Sequence, residues 1–109
     1  MFKYLFQQFF AKDNQELVHA LKSRPLLLDV RTPSEFKSAS IDGAVNIPVQ
    51  NISNAMTKLR KSDVIVTFCK SGSRSAMAAQ ILRKNGFDQV INGGSWRNVE
   101  DVISKYSRS

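Results

Sequence analysis

This sequence has one cysteine, one histidine and one tryptophan among 109 residues. A lone cysteine, Cys69, closes no intrachain disulfide, so nothing marks the chain as a stapled secreted scaffold. With His19 as its sole histidine, it also lacks the ligands of a tetrahedral Cys/His zinc site, and no metal is expected. No apolar run approaches the roughly 20 residues of a membrane-spanning helix. The five glycines form no dinucleotide fingerprint and no phosphate-loop lysine motif is present, so no nucleotide or other cofactor is expected. Acidic residues are scarce: nine Asp and Glu stand against sixteen Lys and Arg, giving a net charge of +7.

What remains is the composition of one ordinary globular domain, with 42% apolar and 23% charged residues. A chain of this length buries about two-thirds of its unfolded surface, enough to fold without staples. Its positive field attracts anions of any kind, from small oxyanions to nucleic acid or anionic lipid. The basic residues are spread from Lys3 to Arg108, with no run longer than Arg60-Lys61 or Arg83-Lys84. A nucleic-acid face would cluster them with exposed aromatics, so nucleic acid is not the expected partner.

Residues 1–12 form a Phe-rich N-terminal extension ahead of a domain expected over 13–105, with a short tail at 106–109. Phe2, Leu5, Phe6 and Phe9 recur at helical spacing, with Phe10 beside them. The plain expectation is a helix laying this stripe on the domain; a dimer contact or weak membrane-surface contact through residues 1–10 are sharper alternatives. The stretch has neither the long apolar core nor the small-residue cleavage site of a signal peptide, and a cytoplasmic protein is expected.

Strand and helix signals then alternate. Asp13 to Lys22 reads as a helix with Leu17, Val18 and Leu21 on one side, carrying His19 as a surface or half-buried residue rather than a general base. Leu26 to Val30 is a short continuous apolar run, the mark of a strand buried on both faces. Thr32-Pro33-Ser34-Glu35 predicts a capped helix start, with Thr32 as cap and Glu35 closing a capping box. Ala44 to Ile47 reads as a second strand and Ser53 to Arg60 as a helix. Asp63 to Phe68 is the strongest strand and Ser75 to Asn85 the strongest helix. Phe87 to Ile91 gives a further strand, Asn92-Gly93-Gly94 a turn, and Trp96 to Lys105 a last helix. Apolar strands alternating with helices predict a parallel α/β sheet flanked by helices on both faces.

In such sheets ligands gather at the carboxyl ends of the strands. The strongest strand runs directly into Cys69-Lys70-Ser71-Gly72-Ser73-Arg74-Ser75 and then the strongest helix. Gly72 allows a tight turn, several backbone N–H groups can converge, and the helix N-terminus adds its dipole. Lys70 and Arg74 add full charges, and all of these favour thiolate over thiol. Lowering a cysteine pKa from about 8.5 to about 6.5 takes roughly 2.7 kcal/mol, within reach of such a loop. The bland reading, a cysteine serving as a small core hydrophobe, fits the strand but not the loop after it.

Four segments now stand in order: Leu27 to Phe36, with Asp29-Val30-Arg31; Ile41 to Pro48; Cys69 to Ser75; and Asn92-Gly93-Gly94 with Trp96. Together they resemble a single-domain rhodanese, over about residues 13 to 105. The resemblance implies a parallel five-stranded α/β domain whose loop cysteine takes up sulfane sulfur as a persulfide. Cys69 would be the nucleophile, and the amides of Lys70, Ser71, Gly72, Ser73 and Arg74 would cradle the persulfide. Lys70 and Arg74 would steer an anionic donor such as thiosulfate; a persulfide-bearing protein is the other donor class, and a thiol, cyanide or protein the acceptor. Asp29, Arg31 and Ser75 are supporting residues, Arg31 being placed to pair with Glu35, and Trp96 is expected as a core or rim aromatic. One departure from the family is Ala39-Ser40, where Gly-His is usual.

Loop length separates the nearest rivals. Cysteine-based phosphatases place Arg six positions after Cys, whereas Arg74 follows Cys69 by five and the sixth position is Ser75. The tighter loop favours a single sulfur atom over phosphatase or arsenate-reductase chemistry. A non-catalytic domain that binds a partner or senses redox state is the alternative from another class.

Overall fold

The computed structural model describes residues 14–107. The Phe-rich stretch, with the contacts expected of it, lies outside them. Helix α1 covers 14–21 and leads into β1 (Leu26–Asp29), α2 (Pro33–Ser38) and β2 (Val45–Asn46). A broken helical segment follows: a 3₁₀ turn at Val49–Asn51, α3 (Ile52–Ala55) and a second 3₁₀ turn at Met56–Lys58. Then come β3 (Ile65–Cys69), α4 (Ser73–Lys84), β4 (Val90–Ser95) and α5 (Trp96–Ser107).

All strand pairs are parallel, in the order β2-β1-β3-β4. Among the described residues the sheet therefore has four strands, not the five implied by the resemblance. The chain between 14 and 107 leaves no segment for a fifth: β4 passes into α5 at Trp96 without a linker, and α5 runs to Ser107.

Helices cover both faces, as the apolar strands predict. On one face Leu28, Val30, Ile65, Cys69 and Val90 pack with Ile52 of α3 and Ala78, Ala79 and Leu82 of α4. On the other, Val66 and Phe68 pack with Leu17 and Ala20 of α1 and Val99 and Val102 of α5. Every residue of β3 is buried, which explains its continuous apolar run.

Two local readings need correction. Asn92-Gly93-Gly94 is not a turn; it lies inside β4. A Cβ on Gly93 would fall 2.6 Å from Val99 Cγ2, 2.9 Å from Val66 Cγ1 and 3.1 Å from the Thr67 carbonyl. Glycine is thus required here for close packing rather than for turning. The register slips at the same place, with Thr67 opposite Asn92 but Cys69 opposite Ser95, a bulge that pushes Gly94 toward the loop after β3. The expected helix over Ser53 to Arg60 is also broken into α3 and the 3₁₀ turn.

The strand order creates a crevice. From β1 the chain moves outward to β2, and from β3 it moves the other way to β4. The segments leaving β1 and β3 therefore diverge, and the gap between them is the switch point where α/β sheets bind ligands.

Candidate functional site

Cys69 ends β3 at that switch point and has no exposed surface. Gly72 carries φ of 101°, a left-handed conformation that suits glycine, and caps α4 without a side-chain hydrogen bond. The amides entering α4 are thereby left to other acceptors, and the sulfur takes the place of a capping side chain. Gly72 N–H donates to Cys69 Sγ at 3.0 Å, and Ser75 Oγ lies 3.5 Å from it. Burial pushes the Cys69 pKa up, but the Ser75 hydroxyl and the amides of Ser75, Gly72 and Ser71 outweigh it, and the net shift is down. Lys70, Ser71 and Ser73 of the loop are exposed, while Cys69 itself packs in the core cluster on one face of the sheet.

Beneath the loop Ser75 anchors a small network. Its hydroxyl lies 2.7 Å from Asn92 Oδ1 and 3.1 Å from the Gly72 carbonyl oxygen. Asn92 Oδ1 also accepts from Gly94 N–H at 3.0 Å. Thr67 Oγ1 donates to the Ser75 carbonyl at 3.0 Å, tying β3 to the first turn of α4.

The ion pairs differ from the sequence expectation. Arg31 does not pair with Glu35. Its Nε and Nη2 bind both Asp29 oxygens, at 3.0, 3.0 and 2.7 Å, with both residues buried. Arg31 Nη2 also donates to the Ala39 carbonyl at 2.6 Å, which fixes the turn at Ala39-Ser40, where the sequence departs from the pattern the resemblance implies. Ala39 is extended there, with φ of −163°, so no glycine is needed. Arg31 precedes the Thr32 cap and so lies outside the helix on which a spacing of four brings side chains together.

Glu35 is instead claimed by Arg74, whose Nη1 and Nη2 meet its two oxygens at 2.7 and 3.0 Å. The Arg74 guanidinium and the Thr32 amide draw the Glu35 pKa from 4.5 down to about 2. The predicted capping box is present, with Glu35 N–H donating to Thr32 Oγ1 and Thr32 N–H donating to Glu35 Oε1. This bridge ties the start of α2 to the first turn of α4 across the crevice, and it commits the Arg74 charge to a carboxylate. Lys70 has no ion-pair partner among the described residues within 4.0 Å.

Trp96 is half-buried against the core, with the Arg31 guanidinium 5.0 Å and that of Arg97 4.9 Å from its ring centre. His19 is exposed on α1. Sequence reasoning missed Asn46, whose Nδ2 donates to the carbonyls of Asp29 and Arg31 at 3.0 Å each and holds the end of β1. It missed Asn92 as well, because Asn-Gly reads as turn chemistry. No group of three or more His, Cys, Asp or Glu able to hold a metal occurs among the described residues.

Comparison with known proteins bears on the family and the fold. A putative sulfur carrier protein of Bacillus subtilis is 42% identical over 66 residues, which span 61% of this chain but only 36% of that protein. A putative mitochondrial thiosulfate sulfurtransferase of Schizosaccharomyces pombe is 36% identical over 108 residues, covering 81% of this chain and 76% of the relative. Among solved structures, the human single-domain sulfurtransferase TSTD1 superposes with a TM-score of 0.67 at 29% identity, over 74% of this chain and 85% of that one. The rhodanese-like domain family matches residues 11–99. A buried cysteine inside a ring of loop amides, at the switch point of a parallel sheet, is thus found in a chain that belongs to the rhodanese-like domain family.

Proposed function

We propose that this protein is a sulfurtransferase that carries sulfane sulfur on Cys69. The observation behind this reading is the set of donors aimed at one buried sulfur: the Gly72 amide at 3.0 Å, the Ser75 hydroxyl at 3.5 Å and the amides of Ser71 and Ser75. Such a cradle stabilises a thiolate, and on this reading the same loop amides turn to the terminal, anionic sulfur of a persulfide. In the first half-reaction the Cys69 thiolate attacks the outer sulfur of thiosulfate, the S–S bond of the donor breaks, and sulfite leaves with the electron pair. The Cys69 persulfide anion remains. In the second, an acceptor thiolate or cyanide attacks the terminal sulfur, and Cys69 leaves as thiolate. A persulfide-bearing protein can replace thiosulfate as donor, and a protein thiol can be the acceptor.

Lys70 is the cation we assign to steering an anionic donor, since the charge of Arg74 is committed to Glu35. Asp29 and Arg31 hold the crevice open as a buried pair and take no part in the chemistry. The working unit is the domain expected over 13–105, and a lone reduced cysteine suits the reducing cytoplasm.

The test is an intact-protein mass spectrum after incubation with thiosulfate, beside Cys69→Ser. The expected result is a gain of one sulfur on the wild type, absent in the variant and removed by cyanide or a reductant. No gain from a protein whose Cys69 still alkylates would eliminate thiosulfate as donor. No gain from a low-molecular-weight persulfide either would overturn the reading in favour of a partner-binding or redox-sensing domain.

A further inference from the structure

The Ser75 hydroxyl has a single proton and several acceptors around it. Asn92 Oδ1 lies at 2.7 Å, the carbonyls of Gly72 and Gly94 at 3.1 and 3.4 Å, and Cys69 Sγ at 3.5 Å. Ser75 has no exposed surface, so water does not make up the difference. The orientation of the Asn92 amide follows from its neighbours. Gly94 N–H faces it at 3.0 Å and can only donate, so the atom facing Gly94 and Ser75 is the oxygen. Asn92 Nδ2 then points to the Gly72 carbonyl, at 3.4 Å.

Two arrangements of the one proton follow. When Cys69 is a thiol, its S–H can donate to Ser75 Oγ while the hydroxyl donates to Asn92, its shortest contact. When the sulfur is an anion it has no proton to give and needs the one on Ser75. We propose that Asn92 is a positioning residue that holds the Ser75 proton while Cys69 is a thiol and yields it when the sulfur becomes anionic. Yielding costs little, because Asn92 Oδ1 keeps the Gly94 amide. Asn92 thereby sets how readily the sulfur ionises. The assignment rests on the reading of Cys69 as the reacting sulfur.

The charged groups on the elements around the loop are Asp29 and Arg31 from β1 and its end, Glu35 and Lys37 from α2, Lys70, then Arg74, Arg83 and Lys84 from α4, and Arg97, Glu100, Asp101 and Lys105 from α5. A neutral substitution at Asn92 leaves all of them in place. The experiment is the rate of Cys69 alkylation by iodoacetamide against pH, in the wild type, Asn92→Ala, Ser75→Ala and the double variant. Removing the shortest of the competing acceptors leaves only the longer contacts to the Gly72 and Gly94 carbonyls against the sulfur, so Asn92→Ala is expected to lower the midpoint by about half a pH unit, part of the worth of one hydrogen bond. Ser75→Ala should raise the midpoint and abolish its response to Asn92. The same downward shift in the Ser75→Ala background, or no shift in a folded Asn92→Ala, overturns the proposal.

A second measurement needs no change at Asn92. The Gly94 amide resonance should titrate with Cys69 in the wild type, because the shared oxygen loses its other donor, and most of that titration should vanish in Ser75→Ala. An undiminished titration there overturns the proposal even if Asn92→Ala does not fold. Alkylation needs no sulfur donor, so failure here leaves the mass-gain result standing, and failure of sulfur uptake leaves the midpoints to be judged on their own.

Discussion

Replacing Gly93 with alanine puts the smallest possible side chain where β3, β4 and α5 meet. The new methyl would lie 2.6 Å from Val99 Cγ2 and 2.9 Å from Val66 Cγ1, where carbon atoms rest at about 3.5 to 4.0 Å. Both neighbours are β-branched and stiff at χ1, and the third contact, the Thr67 carbonyl at 3.1 Å, is backbone. Relief therefore requires α5 to lift from the sheet by about 1 Å. Overpacking of this kind costs about 1 to 3 kcal/mol, and the backbone contact argues for the upper end. At about 4 to 8 °C per kcal/mol for a domain of this size, Tm should fall by roughly 12 to 24 °C. Thermal unfolding followed by circular dichroism measures this directly. Val99→Ala removes the closest atom, so in the Gly93→Ala background it should cost far less than it does alone. A Gly93→Ala protein that melts within about 3 °C of wild type would refute the packing account. So would an additive double variant.

Three further outcomes follow from the charges. Asp29→Asn leaves the Arg31 guanidinium buried without its carboxylate and should destabilise by about 3 kcal/mol, read from urea unfolding; a loss below about 1 kcal/mol would show that the pair is dispensable. Glu35 is drawn from 4.5 down to about 2, so its stabilisation is complete above pH 4.5 and disappears as the pH falls through 2. Its carboxylate and the Arg74 guanidinium are 28% and 33% exposed, which limits the effect to about 1 kcal/mol. Glu35→Gln should lack that part of the acid destabilisation, and equal pH slopes in both proteins would contradict it. Lys70→Ala should reduce thiosulfate turnover several-fold and flatten its dependence on salt, whereas Arg74→Ala should act mainly through a lower Tm; an unchanged salt dependence in Lys70→Ala would remove lysine from the steering role.

The parts of this molecule legible in its sequence are those fixed by neighbours along the chain. The apolar run ending at Phe68, the short loop with Gly72 and the helix behind it announce a strand, a turn and a helix start within some fifteen residues. The Thr32 and Glu35 capping box is equally local. What escaped depends on chain segments brought together from afar. Glu35 sits four positions after Arg31 yet pairs with Arg74, because Arg31 lies outside the helix and finds a buried carboxylate two residues behind it. Asn92-Gly93-Gly94 has the composition of a turn, and only the side chains of Val66 and Val99 pressing on Gly93 reveal why a strand needs glycine there. The fifth strand came from resemblance rather than from any apolar segment of this chain, and the described residues do not supply it.

Cys69 also belongs to the hydrophobic cluster that includes Leu28, Ile65, Leu82 and Phe87. The sulfur we propose as the carrier is thus attached to a residue that helps hold the sheet to α4, so on that reading chemistry at the sulfur is felt by the fold. Whatever the folded cradle binds more tightly than the unfolded chain does must raise the melting temperature, and whatever it cannot accommodate must lower it. An added sulfur held by the loop amides would stiffen the domain, while oxidation to a sulfinate would force two polar oxygens onto a sulfur with no exposed surface. The melting temperature of this protein would then report the chemical state of a single sulfur, distinguishing a loaded molecule from a damaged one without any measurement of turnover.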